Sequence, residues 1–160
     1  MWWLIEGSLL LLLIVSSKSG QAATSLNMTG TIIAPLACVI NGEKAIDVNF
    51  GDEVLTTRVD GINYKKKIEY TLVCKNNVSN AIRMKVMGSP TSFTSSALET
   101  DKENLGVQLQ ADDKPLAINS WLNFIYPNNP KLQAVPVKKP GGELSGGTFV
   151  AIATLLVDYQ

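Results

Sequence analysis

The chain closes on GTFVAIATLLVDYQ, Gly147 to Gln160. Phe149, Ala151, Ala153, Leu155, Val157 and Tyr159 fall at every second position, the side-chain period of a β-strand. Val150, Ile152 and Leu156 make the opposite face apolar as well. No second strand follows to complete a hairpin, so the partner is expected far upstream or on another molecule.

Upstream, the sequence reads as further strands and turns, with no helical period. LNMTGTII (Leu26 to Ile33), IDVNF (Ile46 to Phe50), KIEYTLVC (Lys67 to Cys74), AIRMKVM and LGVQLQAD are all short, alternating or β-branched. Between them lie NGEK, FGDE, VDG, CKNN, MGSP, ADDKP, YPNNP and KKPGGELSGG, each carrying Gly, Pro, Asn or Asp. Many short strands at this spacing predict an all-β sandwich. It is not of the antibody type, because Cys38 and Cys74 are too close and no tryptophan separates them.

Composition narrows the chemistry. The chain has 160 residues, one domain's worth, with 14 basic and 14 acidic side chains, so no global field favours nucleic acid or anionic lipid. Histidine is absent, which removes the commonest general base and metal ligand. Two cysteines without histidine make a poor zinc site. No nucleophile has a recognisable base beside it, so neither an enzyme nor a cofactor is expected.

Residues 1–22 read as a secretory signal: Leu9 to Val15 is an unbroken apolar run, and Gly20 and Ala22 suit positions −3 and −1 of a cut. The opening MWWLIEG lacks the usual basic residue. Trp2 to Val15 would rise only about 21 Å as a helix, short of a ~30 Å hydrocarbon core. Export implies an oxidising compartment, where Cys38 and Cys74 are expected to pair, the alternative being two buried thiols.

The two ends of the remaining chain resemble those of chaperone–usher pilus subunits. At the C-terminus the resemblance is carried by Gly147, the alternating Phe149, Ala151, Ala153, Leu155 and Val157, and the penultimate Tyr159. At the N-terminus it is carried by Leu26, Met28, Gly30 and Ile32, an alternating segment with a central glycine running into APLAC. DVNFG, TLVC and LGVQL resemble interior strands of the same family.

The resemblance implies an incomplete immunoglobulin-like sandwich lacking its seventh strand. Residues 23–34 would form a donor-strand extension and 35–160 the pilin domain, with the C-terminal residues lining an acceptor groove. A periplasmic chaperone would first fill that groove, and at the outer-membrane usher the extension of a neighbouring subunit would replace it. The product is a fimbrium on the bacterial surface. A single domain with an extension suggests an adaptor, minor or shaft subunit; a terminator or anchor subunit is the alternative within the family.

Three other features have plain readings beside functional ones. Lys65 to Lys67 reads as a solvated strand edge that discourages wrong pairing. The sequons at Asn27 and Asn77 are chance matches in a bacterial protein. Trp121, Phe124 and Tyr126 form an aromatic cluster in SWLNFIY, which reads as packing; in a free-standing secreted β-sandwich it would instead bind a ligand.

Overall fold

The computed structural model of the protein describes residues 29–30, 38–75 and 79–160. The fold lies in a compact unit spanning residues 34–160; of the preceding unit, residues 1–33, only Thr29 and Gly30 are described, and both are exposed. The expected donor residues Leu26, Met28 and Ile32, like the proposed signal, lie outside the described residues.

Eleven strands are formed among the described residues: β1 (Cys38–Ile40), β2 (Lys66–Lys67), β3 (Leu72–Cys74), β4 (Ala81–Met87), β5 (Pro90–Thr91), β6 (Thr94–Glu99), β7 (Leu105–Ala111), β8 (Lys114–Pro115), β9 (Leu122–Ile125), β10 (Leu132–Lys138) and β11 (Thr154–Tyr159). One sheet runs β2-β10-β7-β6-β5, with β8 added to β7; a second runs β11-β4-β9; β1 and β3 form a separate pair. Every pairing is antiparallel.

Alternation decides which sides meet. In β4, Ile82, Met84 and Val86 point inward while Arg83 and Lys85 point out. Met84 and Val86 pack against Leu98 of β6, Val107 and Leu109 of β7, and Leu132 and Ala134 of β10, so the main core is the layer between the two larger sheets. Ile82 turns toward a smaller core with Leu72 and Cys74. Ile82 and Met84 are wholly buried, each contributing roughly 1.5–3 kcal/mol. Cys38 and Cys74 are directly opposed in the β1–β3 register and form a disulfide.

Three strand assignments are corrected. KIEYTLVC divides into β2 and β3, because the chain crosses between sheets: Ile68 N still donates to Leu132 O beside β10, whereas Asn41 N, next to β1, reaches Thr71 O. IDVNF forms no strand, since no ladder runs beside it. The C-terminal run is a strand only over Thr154–Tyr159, and residues 147–153 lie in no sheet. Its partner β4 is far upstream, in a register from Thr154↔Met87 to Tyr159↔Ile82.

β10 was not legible as a strand because Pro136 interrupts it. β2 spans only two residues and pairs no further than Ala134. Beside Pro136 the neighbour is instead Gly61, whose N–H donates to the Pro136 carbonyl, so the missing proline N–H breaks no ladder bond there. Lys66 and Lys67 are exposed on β2, the outermost strand of that sheet, which accounts for the lysine run as a solvated edge.

Candidate functional site: an open cleft between two unpaired walls

The sandwich is open between residues 44–50 and the C-terminal run. The opening is a cleft of about 760 Å³. Ile46, Val48 and Phe50 form one wall; Phe149, Ala151, Ala153 and Leu155 form the other; Val86, Leu98, Val107 and Leu109 of the main core lie at its floor. Beyond Phe50 and Phe149 a second recess of about 700 Å³ continues past Val54, Leu105 and Gly147. The two phenylalanines line both spaces, their ring centroids 5.6 Å apart.

Side-chain parity along the second wall follows the sequence. Phe149, Ala151, Leu155 and Val157 pack on the core, whereas Val150 and Ile152 are 58% and 82% exposed. Tyr159 is half-buried, and Gly147 turns the chain at φ +112°. Backbone parity matters as much. Gln160 N donates to Ala81 O, so by antiparallel alternation residues 154, 156 and 158 direct their N–H and C=O groups to β4, and residues 155 and 157 direct theirs away. Further back, Val150 is held by Asp101, while the backbone groups of Phe149, Ala151 and Ala153 have no partner among the described residues. A free hydrogen-bonding edge thus runs from Phe149 to Val157 beside the apolar cleft.

The opposite edge, that of Val150 and Ile152, loses its ladder because β4 departs. After Met87 the chain turns at Gly88, whose N–H and C=O are both captured by the Asn119 side chain at 3.1 and 3.0 Å. It then enters β5 in the other sheet. A Cβ on Gly88 would lie 2.5 Å from Leu98 Cδ2, so only glycine passes this point without displacing the core.

Ionisable groups sit away from the floor of the cleft. The Tyr70 hydroxyl donates to Pro130 O at 2.6 Å, and burial, with the Asp112 charge, pushes its pKa up to about 12. Hydrogen bonding from Arg83 and the Tyr159 N–H lowers Asp158, and backbone N–H groups of Asn63 and Ile62 lower Asp60. Among the described residues no group of three or more His, Cys, Asp or Glu side chains is placed to hold a metal ion. What the cleft offers is backbone donors, acceptors and apolar space, the requirements of an added strand.

The aromatic cluster is dispersed. Phe124 and Tyr126 pack on the smaller core. Trp121 lies outside, with the Arg83 guanidinium 4.4 Å and the Lys85 ammonium 4.5 Å from its ring centroid, so its π-surface is already engaged by cations. Sequence reasoning found one wall of the cleft and treated the other, Ile46 to Phe50, as an ordinary strand. Asp101 was missed, since a lone aspartate in a turn gives no signal of what it will grip.

A family model for fimbrial proteins matches residues 26–160, nearly all of the chain beyond its first residues, and the chain belongs to that family. It is 36% identical over 151 residues to the uncharacterized fimbrial-like protein YfcR of Escherichia coli (strain K12), covering 91% of this chain and 86% of the relative. It is 37% identical over 161 residues to YfcQ of the same organism, covering 94% and 97%. Among solved structures, the P pilus rod subunit PapA aligns with a TM-score of 0.63 at 18% identity, covering 85% of this chain and 99% of that one. The P pilus adaptor subunit PapF aligns at 0.58 and 22%, covering 79% and 98%. The fold is accordingly the incomplete immunoglobulin-like sandwich of pilins.

Proposed function

We propose that this pilin polymerises by donor-strand exchange, as an adaptor, minor or shaft subunit of a surface fimbria. Residues 1–22 direct export, residues 23–34 carry the donor strand (Leu26, Met28, Gly30 and Ile32), and residues 35–160 form the accepting domain. In the periplasm a chaperone strand occupies the cleft; at the outer-membrane usher a neighbouring subunit's extension replaces it. The observation that carries this reading is the conjunction of an apolar cleft with a backbone edge from Phe149 to Val157 that is unpaired among the described residues. An exposed edge of this kind beside apolar surface is a liability unless it is filled.

Occupying side chains would gain roughly 1.5–3 kcal/mol each on full burial, and the backbone would gain a new ladder. Export of the chain with and without the cognate pilus chaperone tests the proposal. A soluble one-to-one complex is expected with the chaperone, and aggregation or degradation without it. A stable, soluble monomer made alone would defeat the reading.

A further inference from the structure

After β4 ends, the C-terminal wall of the cleft continues through residues 147–153 with no strand beside it among the described residues. One residue replaces that strand. Asp101, in the turn between β6 and β7, accepts the Val150 N–H on its Oδ1 at 2.8 Å, and its own N–H donates to the Val150 carbonyl at 3.2 Å. Val150 has the same parity as residues 154, 156 and 158, so Asp101 engages the backbone groups that would face β4 if the ladder continued.

The turn that carries Asp101 is itself fixed. Thr100 Oγ1 lies 3.1 and 3.0 Å from the carbonyl oxygens of Lys102 and Leu105 and accepts the Lys102 N–H at 3.1 Å. Two neighbours extend the grip: Asn104 Nδ2 donates to Glu143 O at 3.2 Å, and Lys102 Nζ to Gly146 O at 3.4 Å. Because β6 and β7 belong to the sheet across the core, this turn ties the wall to the opposite layer.

We propose that Asp101 is a positioning residue that keeps the wall extended and the cleft open before a strand enters, standing in for β4 at Val150. This rests on the strand-accepting reading above. Without the tether, the backbone of residues 147–153 loses the bond that holds it extended, and an incoming strand must first order it. The tether therefore acts on capture. Once a strand is seated, its own ladder holds the wall, so release is insensitive to Asp101.

The test dilutes the full chain from denaturant, without chaperone, into an excess of a fluorescein-labelled synthetic peptide of residues 23–34, so that the peptide meets an empty cleft, with capture and release timed separately. Asp101→Ala is expected to slow capture roughly 10-fold through loss of a charge-assisted hydrogen bond and to leave release unchanged. Asp101→Asn, which keeps an acceptor for the Val150 N–H, restores the rate. Equal capture by Asp101→Ala and wild type overturns the proposal, as does an asparagine variant as slow as alanine, or a release rate altered as much as capture. If wild type captures no peptide, strand acceptance itself fails and the tether falls with it. Hydrogen exchange in the wild-type complex decides the matter even if Asp101→Ala does not fold: slow exchange of the Val150 amide is expected, and exchange at the rate of an unstructured chain overturns the assignment.

Discussion

Phe50 and Phe149 come from opposite walls of the cleft and meet with ring centroids 5.6 Å apart and planes tilted by 35°. Neither wall is in a sheet at that point, so this contact joins two otherwise unladdered segments. A double-mutant cycle on the chaperone-bound subunit, with Phe50→Ala and Phe149→Ala, is expected to give a coupling of about 0.5–1.5 kcal/mol in denaturant unfolding. Strict additivity would show that the rings pack independently.

The two ends of the chain have different tasks in the proposed assembly. Leu155→Asp places a carboxylate without a partner in the groove wall, and the variant is expected to aggregate or be degraded in the periplasm. Ile32→Asp is expected to accumulate as a soluble chaperone complex that cannot join fimbriae. Co-purification with tagged chaperone, scored beside incorporation into sheared fimbriae, reads both. Normal assembly of Ile32→Asp removes residue 32 from the donor strand; loss of chaperone capture by that variant places it in the subunit's own core.

The disulfide closes a loop with a sequence separation of 36 between Cys38 and Cys74. In the chain-entropy model that corresponds to about 4 kcal/mol, a large share of the roughly 5–15 kcal/mol typical of a domain. Cys38→Ser is expected to lower the denaturant midpoint of the chaperone-bound subunit accordingly and to reduce the amount reaching the fibre. An unchanged midpoint would contradict the expected contribution.

Arg83 reaches Asp158 Oδ2 at 2.6 Å, joining the outward faces of β4 and β11. This hydrogen bond, followed by that from the Tyr159 N–H, holds the Asp158 carboxyl below the ordinary aspartate range. A group depressed on folding stabilises above its unfolded pKa, and that stability is lost as pH falls through the folded value. Wild type should therefore exceed Asp158→Asn in stability at neutral pH, and the difference should shrink as pH falls below the ordinary aspartate range and vanish once the folded carboxyl is protonated. Denaturant midpoints of the two proteins across pH measure it. A gap that does not narrow as the solution is acidified would mean that charge is not its source.

What was legible in the sequence follows from what repetition can show. The period-two face of residues 149–157 identified one wall of the cleft and its side-chain orientation, because alternation is a local property. That the ladder would stop at Thr154 was not legible, because it depends on where β4 turns away, at Gly88, and on an asparagine 31 residues further along. Ile46 to Phe50 has strand composition and forms no strand, since pairing depends on what lies alongside. Trp121, Phe124 and Tyr126 are close in sequence yet separate, because β9 sends Phe124 inward while Trp121, just before it, meets Arg83 and Lys85 on the outside.

The turn at Gly88 has a metrical consequence. It fixes where pairing to β4 ends, and with it how the last strand divides between ladder and bare wall. The free edge from Phe149 to Val157 is nine residues, about 30 Å of extended chain. A partner much shorter would leave wall uncovered, and a longer one would have to run past the Phe50–Phe149 constriction. The molecule thus carries a ruler for whatever strand it accepts, and Asn119, a side chain committed to the Gly88 backbone, decides how much of that wall is backed by β4 on its other side. Changes in that asparagine would alter how firmly the wall is backed, while the length of the edge it presents stayed the same.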